Sequence, residues 1–268
     1  MADFSDELNE PGRSGSFLQL RSLTAAGALK GASLAFDYKM LGADHQSGLP
    51  YTWENSLPSV PDPSLIRTVQ FAIKRAFDVV SASAALVLFA PLFVILAILI
   101  RNTDRGPVFF SQLRIGKDNR PFLIYKFRTM YHHQGDHSGR VQAAFDDPRI
   151  TPIGRVMRRL SLDELPQLIN VIKGDMSVVG PRPHVPEMLA AGVPYEDLVP
   201  YYPMRHAVKP GLTGWAQANG FRGPTFHEAA ARARIDHDLA YIQNFSIALD
   251  VRVIFMTIKS EFFTGSGF

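Results

Sequence analysis

Asp163 and Glu164 are adjacent carboxylates that closely follow a basic cluster, Arg155, Arg158 and Arg159. The run Ser161–Pro183, SLDELPQLINVIKGDMSVVGPRP, closes on a Gly-Pro-Arg-Pro turn that offers one more cation, Arg182. Acids among arginines suit phosphate chemistry. A guanidinium grips phosphate oxygens as a bidentate fork, and an ionised Asp can attack phosphorus or hold Mg²⁺ against phosphate oxygens. Ser161-Leu-Asp-Glu164 also matches a capping box, with Ser161 as N-cap and Glu164 at the third helical position. That match explains Glu164 without any catalysis, although Pro166 fits it badly and moves the helix start toward Leu165. On either reading the pair sits at a helix N-terminus, where free N–H groups and the dipole favour phosphate and ionised carboxylates.

Further groups could join this pair. Lys126-Phe127-Arg128 ends a strand-like run and puts two cations on one face. The same pattern also serves to protect an edge strand. Lys209-Pro-Gly-Leu-Thr-Gly-Trp-Ala-Gln217 is glycine-rich, with Thr213 and Gln217 as polar contacts and Trp215 as a stacking surface. A tight structural turn would need the same residues. His132, His133 and His137 lie in a polar loop without helical spacing, and a solvated loop accounts for them better than a metal site.

The elements that must position these groups are legible in outline. The 268-residue chain can hold one sizeable domain with appendages. It has no cysteine, which excludes disulfides, thiol nucleophiles and cysteine metal sites. Its net charge of +3 is unevenly spread. Residues 1–65 carry eight acids and four bases, whereas residues 101–182 carry fourteen bases and eight acids. The basic middle suits an anionic partner: a nucleotide, a phospholipid surface or nucleic acid.

Residues 1–64 read as a poorly ordered tail, with a weak helix at most over Ser22–Phe36, and their acids rule out a signal peptide. Val79–Ile100 is a run of 22 residues without a charge. A helix of that length would measure about 33 Å, enough to cross the hydrocarbon core. Ala90-Pro91 falls near its middle, and basic residues flank both ends: Lys74 and Arg75 before, Arg101 and Arg105 after. A kinked span and a re-entrant hairpin fit these facts equally. Downstream, Gly106–Met130 predicts two short strands about a turn at Gly116–Arg120. Ile153–Leu160 and Phe226–Phe245 predict helices, and Ile247–Phe263 predicts an amphipathic helix at a membrane interface.

Taken in order, these motifs resemble the bacterial sugar transferase family, the monotopic phosphoglycosyl transferases. The resemblance rests on Lys74-Arg75 with Asp78, the apolar run with Pro91, Gln112–Gly116 and Lys126–Met130. It continues through Asp147–Thr151, Ser161–Pro183, Lys209–Gln217, and Asp238 with Tyr241-Ile242, covering about residues 70–262. It implies transfer of a hexose-1-phosphate from a UDP-hexose, glucose or galactose, to undecaprenyl phosphate, with release of UMP. Asp163 would be the nucleophile, forming an aspartyl-phosphosugar, with Glu164 completing the dyad and Mg²⁺ bridging Asp163 and phosphate. Arg158 and Arg182 would contact phosphate, joined by Lys126, Arg128, Thr213 and Gln217 in substrate binding.

The implied fold is α+β and mainly helical. A re-entrant hairpin broken at Ala90-Pro91 (residues 65–105) would carry a catalytic domain (106–268) on the cytoplasmic face of the bacterial inner membrane. A small β element and amphipathic interfacial helices would complete it, with lipid as a partner and nucleic acid not, and homo-oligomerisation left open. Larger relatives carry an N-terminal bundle of membrane helices where this chain has its polar tail. A membrane-tethered binding protein and a phosphatase are the competing classes; UMP release that depends on lipid acceptor separates all three.

Overall fold

A computed structural model describes residues 65–133, 147–223 and 225–264. The tail expected over 1–64, with its weak helix, and His137 lie outside the described residues. The arrangement is mixed and mainly helical. Helix α1 (Leu65–Asp104) contains the whole uncharged run, and its backbone stays helical through Pro91. The break expected at Ala90-Pro91 therefore does not interrupt the helix. Only 11% of its most apolar 18-residue window is buried, so this is not the core helix of a globule.

Strands β1 (Phe109–Ile115) and β2 (Pro121–Phe127) form the expected antiparallel hairpin, with Phe109 opposite Phe127 and Ile115 opposite Pro121. The connection turns through Asp118 and Asn119, both in the left-handed region that short polar side chains tolerate. Alternation along β2 puts Ile124 in one core cluster, with Ala82 of α1. Phe127 enters another, with Leu96 and Ile100 of α1. The hairpin thus meets both halves of the long helix.

Helix α2 (Pro152–Arg159) starts as its sequence dictates. Thr151 caps it by accepting from the Gly154 N–H at 2.9 Å, and proline takes the first turn, where no N–H is needed. A Cβ on Gly154 would come within 2.1 Å of the Thr129 carbonyl oxygen, so only glycine lets α2 lie this close to the end of β2. Helix α3 (Gln167–Lys173) ends on Gly174 at φ 95°, a left-handed C-cap. From α3 the buried Asn170 accepts from Tyr125 N–H at 3.0 Å and donates to Leu123 C=O at 2.7 Å. It docks on β2 as a further strand would.

Strands β3 (Ser177–Val179), β4 (Leu189–Ala190), β5 (Val193–Pro194) and β6 (Gly211–Thr213) are short. β3 and β6 pair in parallel, and β4 and β5 form a small antiparallel hairpin. Helix α4 (Tyr195–Leu198) and helix α5 (Trp215–Ala218) lead to the two long C-terminal helices, α6 (Glu228–Gln243) and α7 (Ile247–Thr264). Leu249 and Val253 of α7 pack on Val179, Trp215 and Tyr241, while Val251, Phe255 and Ile258 form an exposed apolar stripe. Phe71 of α1 stacks on Phe245 at 4.8 Å, so α1 and the C-terminal helices share one apolar flank.

Candidate active site

Asp163 and Glu164 lie in a single 3-10 turn, Leu162–Glu164, between α2 and α3. The capping box is not formed: Ser161 adopts a left-handed φ of 53° and makes no side-chain capping bond. Pro166 is the physical reason. In a helix starting at Leu162 it would have to donate to the Leu162 carbonyl, and it has no N–H to do so. Leu165 N–H takes that carbonyl instead at 3.3 Å, which closes the tighter turn. Glu164 is thereby released from any capping duty.

Its carboxylate grips cations. Lys126 Nζ lies 2.7 Å from Oε1, and Arg182 bonds Oε1 through Nη2 at 2.6 Å and Oε2 through Nη1 at 3.2 Å. Burial alone would raise the Glu164 carboxyl, but Arg182 and Lys126 outweigh it and hold it well below the usual carboxylate range. Asp163 is different. Among the described residues its one ion pair is a long one, 3.7 Å to Lys126 Nζ, and none of them closes a hydrogen bond on its carboxylate. Burial pushes its carboxyl above the ordinary range; Lys126 opposes this, and the charge of Glu164 adds to it. One acid is locked and ionised, while its neighbour is shielded but unengaged.

Arg158 joins this group from α2. It donates through Nε to Thr129 Oγ1 at 2.9 Å; burial lowers its pKa, and the charges of Asp163, Asp147 and Glu164 oppose this only in part. Lys126 and Arg182 thus bond the acid pair, and Arg158 lies near enough to feel the charges of both acids. Arg128 turns elsewhere, to Asp104 at the end of α1 and to the Pro107 carbonyl. Thr213 shares a 2.6 Å hydrogen bond with Thr257 of α7, and Gln217 donates weakly to the Leu212 carbonyl while its buried Oε1 has no partner. Trp215 is buried with Arg252 over its ring at 5.4 Å, so it offers no stacking surface. His132 donates its backbone N–H to Asp104, and no metal-holding cluster of three acidic or histidine side chains occurs among the described residues.

Two arginines that motif reading passes over, Arg114 and Arg205, reach the backbone of the Pro181-Arg182-Pro183 turn. The signal was available. A turn with two prolines lacks N–H donors, so its carbonyls must be held from outside.

Comparison with known proteins identifies the family. Residues 69–264 match the family model for bacterial sugar transferases. The chain is 51% identical over 200 residues to an exopolysaccharide production protein of Rhizobium leguminosarum bv. phaseoli, covering 75% of this chain and all of that relative. It is 47% identical to an undecaprenyl-phosphate glucose phosphotransferase of Komagataeibacter xylinus, over 73% of this chain and 37% of the relative. It is 42% identical to a UDP-glucose:undecaprenyl-phosphate glucose-1-phosphate transferase of Escherichia coli, over 78% of this chain and 44% of the relative. The chain therefore spans less than half the length of these last two. With the family model covering most of its described residues, the chain belongs to the bacterial sugar transferase family.

Proposed function

We propose that this chain transfers a hexose-1-phosphate, glucose or galactose, from a UDP-hexose to undecaprenyl phosphate as the first membrane step of exopolysaccharide synthesis. The observation that carries the reading is the unequal treatment of the two acids. Glu164 is clamped by Lys126 and Arg182, whereas the Asp163 carboxylate is buried with no hydrogen bond to it from any described residue. An unengaged, desolvated carboxylate is a competent nucleophile. Asp163 attacks the β-phosphorus of the UDP-sugar, the bond to the α-phosphate oxygen breaks, and UMP leaves with that electron pair. An oxygen of the lipid phosphate then attacks the same phosphorus, breaking the aspartyl bond and restoring the carboxylate. Lys126, Arg158 and Arg182 balance the charge of the bound diphosphate throughout.

Mg²⁺ suits the donor set. Asp163 offers hard oxygen atoms free of hydrogen bonds, and this ion commonly takes one or two carboxylates together with substrate phosphates and water. Asp163 would hold it, and the bound ion would supply neutralisation of phosphate charge.

We place the site at the cytoplasmic face of the inner membrane, carried by α1, which stays helical on both sides of Pro91 and bends there, so that it enters the bilayer and returns. Lys74 at one end of the apolar run bonds the Val179 carbonyl and Asp250, and Asp104 at the other end bonds Arg128. Both ends are thus tied to the same body, while Val87–Pro91 midway is exposed. The apolar stripe of α7 would lie along the interface beside it. Cysteine labels placed before Lys74 and after Arg105 should react from one side; labelling from opposite sides would sink the re-entrant reading.

The reaction is tested by incubating membranes that contain the protein with Mg²⁺, undecaprenyl phosphate and a panel of UDP-sugars. UMP release with UDP-glucose or UDP-galactose, together with a phosphosugar adduct on Asp163, is expected. Absence of UMP with every sugar would refute the transferase.

A further inference from the structure

The turn that presents Arg182 is built to be held by its carbonyls. Pro181 and Pro183 have no N–H to give. Four consecutive carbonyls accept from four donors on three separate segments. Pro181 O accepts from Gly211 N–H at 3.0 Å, and His184 O accepts from Ile115 N–H at 2.9 Å. Between them, Arg182 O accepts from Arg205 Nη2 at 2.6 Å, and Pro183 O accepts from Arg114 Nη1 at 3.2 Å. The outer two bonds are backbone pairings; the inner two come from arginine side chains.

Arg205 is almost fully enclosed, with its side chain 1% exposed and that of its partner Asp238 2% exposed. Both Nε and Nη2 bond Asp238 Oδ2, at 2.9 and 2.7 Å. Nη2 therefore sits between the Asp238 carboxylate and the Arg182 carbonyl and serves both. Burying two charges is costly, and well-packed apolar residues of similar volume often stabilise a fold as well. Stability alone is thus a weak reason for this pair, whereas its contact with the backbone of Arg182 gives it a use. Arg114 is braced in the same manner, with Nη2 on Gln112 Oε1 at 2.6 Å.

We infer that Arg205, held by Asp238, and Arg114 are positioning residues: they fix the carbonyls of Arg182 and Pro183 so that the Arg182 guanidinium stays aimed at Glu164 and the donor diphosphate. The inference rests on the transferase reading above. Arginine is suited to the task because its planar fork directs several N–H groups at once, which a lysine ammonium on a flexible stem does not.

A double-mutant cycle on the full chain tests it, measuring UMP release from UDP-glucose with undecaprenyl phosphate for Arg182→Lys, Arg205→Lys and the double variant. Each single change should lower kcat/KM for the UDP-sugar by about tenfold, roughly the worth of one charge-assisted hydrogen bond. The double variant should be no slower than Arg182→Lys alone, since a loosened Arg182 leaves the brace nothing to aim. Losses that multiply, to about a hundredfold, would overturn the inference, as would a loss from Arg205→Lys that merely follows its unfolding. If Arg205→Lys does not fold, Arg114→Lys enters the same cycle, and multiplying losses there overturn the inference equally. An unmutated protein that releases no UMP with any UDP-sugar would refute the transferase reading itself and take the positioning role with it.

Discussion

Asp163 and Asp238 are both buried aspartates among arginines, and burial raises the carboxyl of each. Around Asp238, Arg205 closes on one carboxylate oxygen with two charge-assisted bonds. Around Asp163 the cations are diverted: Lys126 and Arg182 bond Glu164 instead. Glu164 thus acts as a decoy that keeps positive charge close to Asp163 without letting it clamp that carboxylate, as the proposed attack by Asp163 requires. The difference teaches that burial alone does not separate a structural acid from a reactive one. What separates them is whether the donors in reach are already engaged.

The strongest way to break this comparison is to neutralise each aspartate in turn. Asp163→Asn should cut UMP release by at least about a thousandfold and abolish the phosphosugar adduct, because the nucleophile is gone. The fold should not suffer. A carboxyl whose folded pKa is raised binds its proton more tightly when folded, so its contribution to stability declines as pH rises through that window. Above it, the asparagine variant should therefore melt at the same temperature or higher. Asp238→Asn should do the reverse first. It leaves Arg205 buried without its counter-ion, at a cost of about 3–5 kcal/mol, read as a lowered thermal transition. A stable Asp238→Asn, or an unstable Asp163→Asn, would contradict the division of roles.

Glu164→Gln sharpens the comparison through pH. It removes a negative neighbour that raises the Asp163 carboxyl and frees Lys126 and Arg182 to stabilise the ionised form. The acid limb of kcat/KM, set by ionisation of Asp163, should therefore move to lower pH. Activity on the plateau should fall roughly tenfold to a hundredfold, the worth of about 1.5–3 kcal/mol for one charged hydrogen bond. A limb that stays in place would mean that Asp163 does not set it.

The smallest effect concerns backbone strain on the reactive side. Ser161 holds a left-handed φ of 53° directly before the turn that carries the acid pair. Ser161→Gly should stabilise the protein by about 1 kcal/mol or less, seen as a slightly raised melting temperature. Destabilisation would show that the serine side chain contributes more than its backbone strain costs.

These contrasts show what the sequence discloses and what it withholds. The β1–β2 hairpin, α2 and α6 follow from local pattern, because alternation, the Thr151 cap and helical periodicity are encoded within a few residues. The acid pair was legible as a cluster with arginines nearby in the sequence, and the structure brings Lys126 and Arg182 onto Glu164. The role of Glu164 was not, since the capping-box spacing is satisfied on paper and only Pro166, two residues later, forbids the helix. Arg128 and Lys126 share a strand face in sequence, yet one turns to Asp104 and the other to Glu164, a choice made by tertiary partners. Arg205 lies 23 residues beyond the carbonyl it holds, with nothing local to announce it.

The docking of Asn170 on β2 has a consequence outside catalysis. By occupying the Tyr125 N–H and the Leu123 carbonyl, one amide fills two backbone groups on the outer edge of β2. Free backbone groups on a strand edge are a template for pairing with another chain, and at these two positions the template is filled. The Asn170 side chain is thus a specific polar latch between α3 and the β2 edge, made by one residue rather than by a strand.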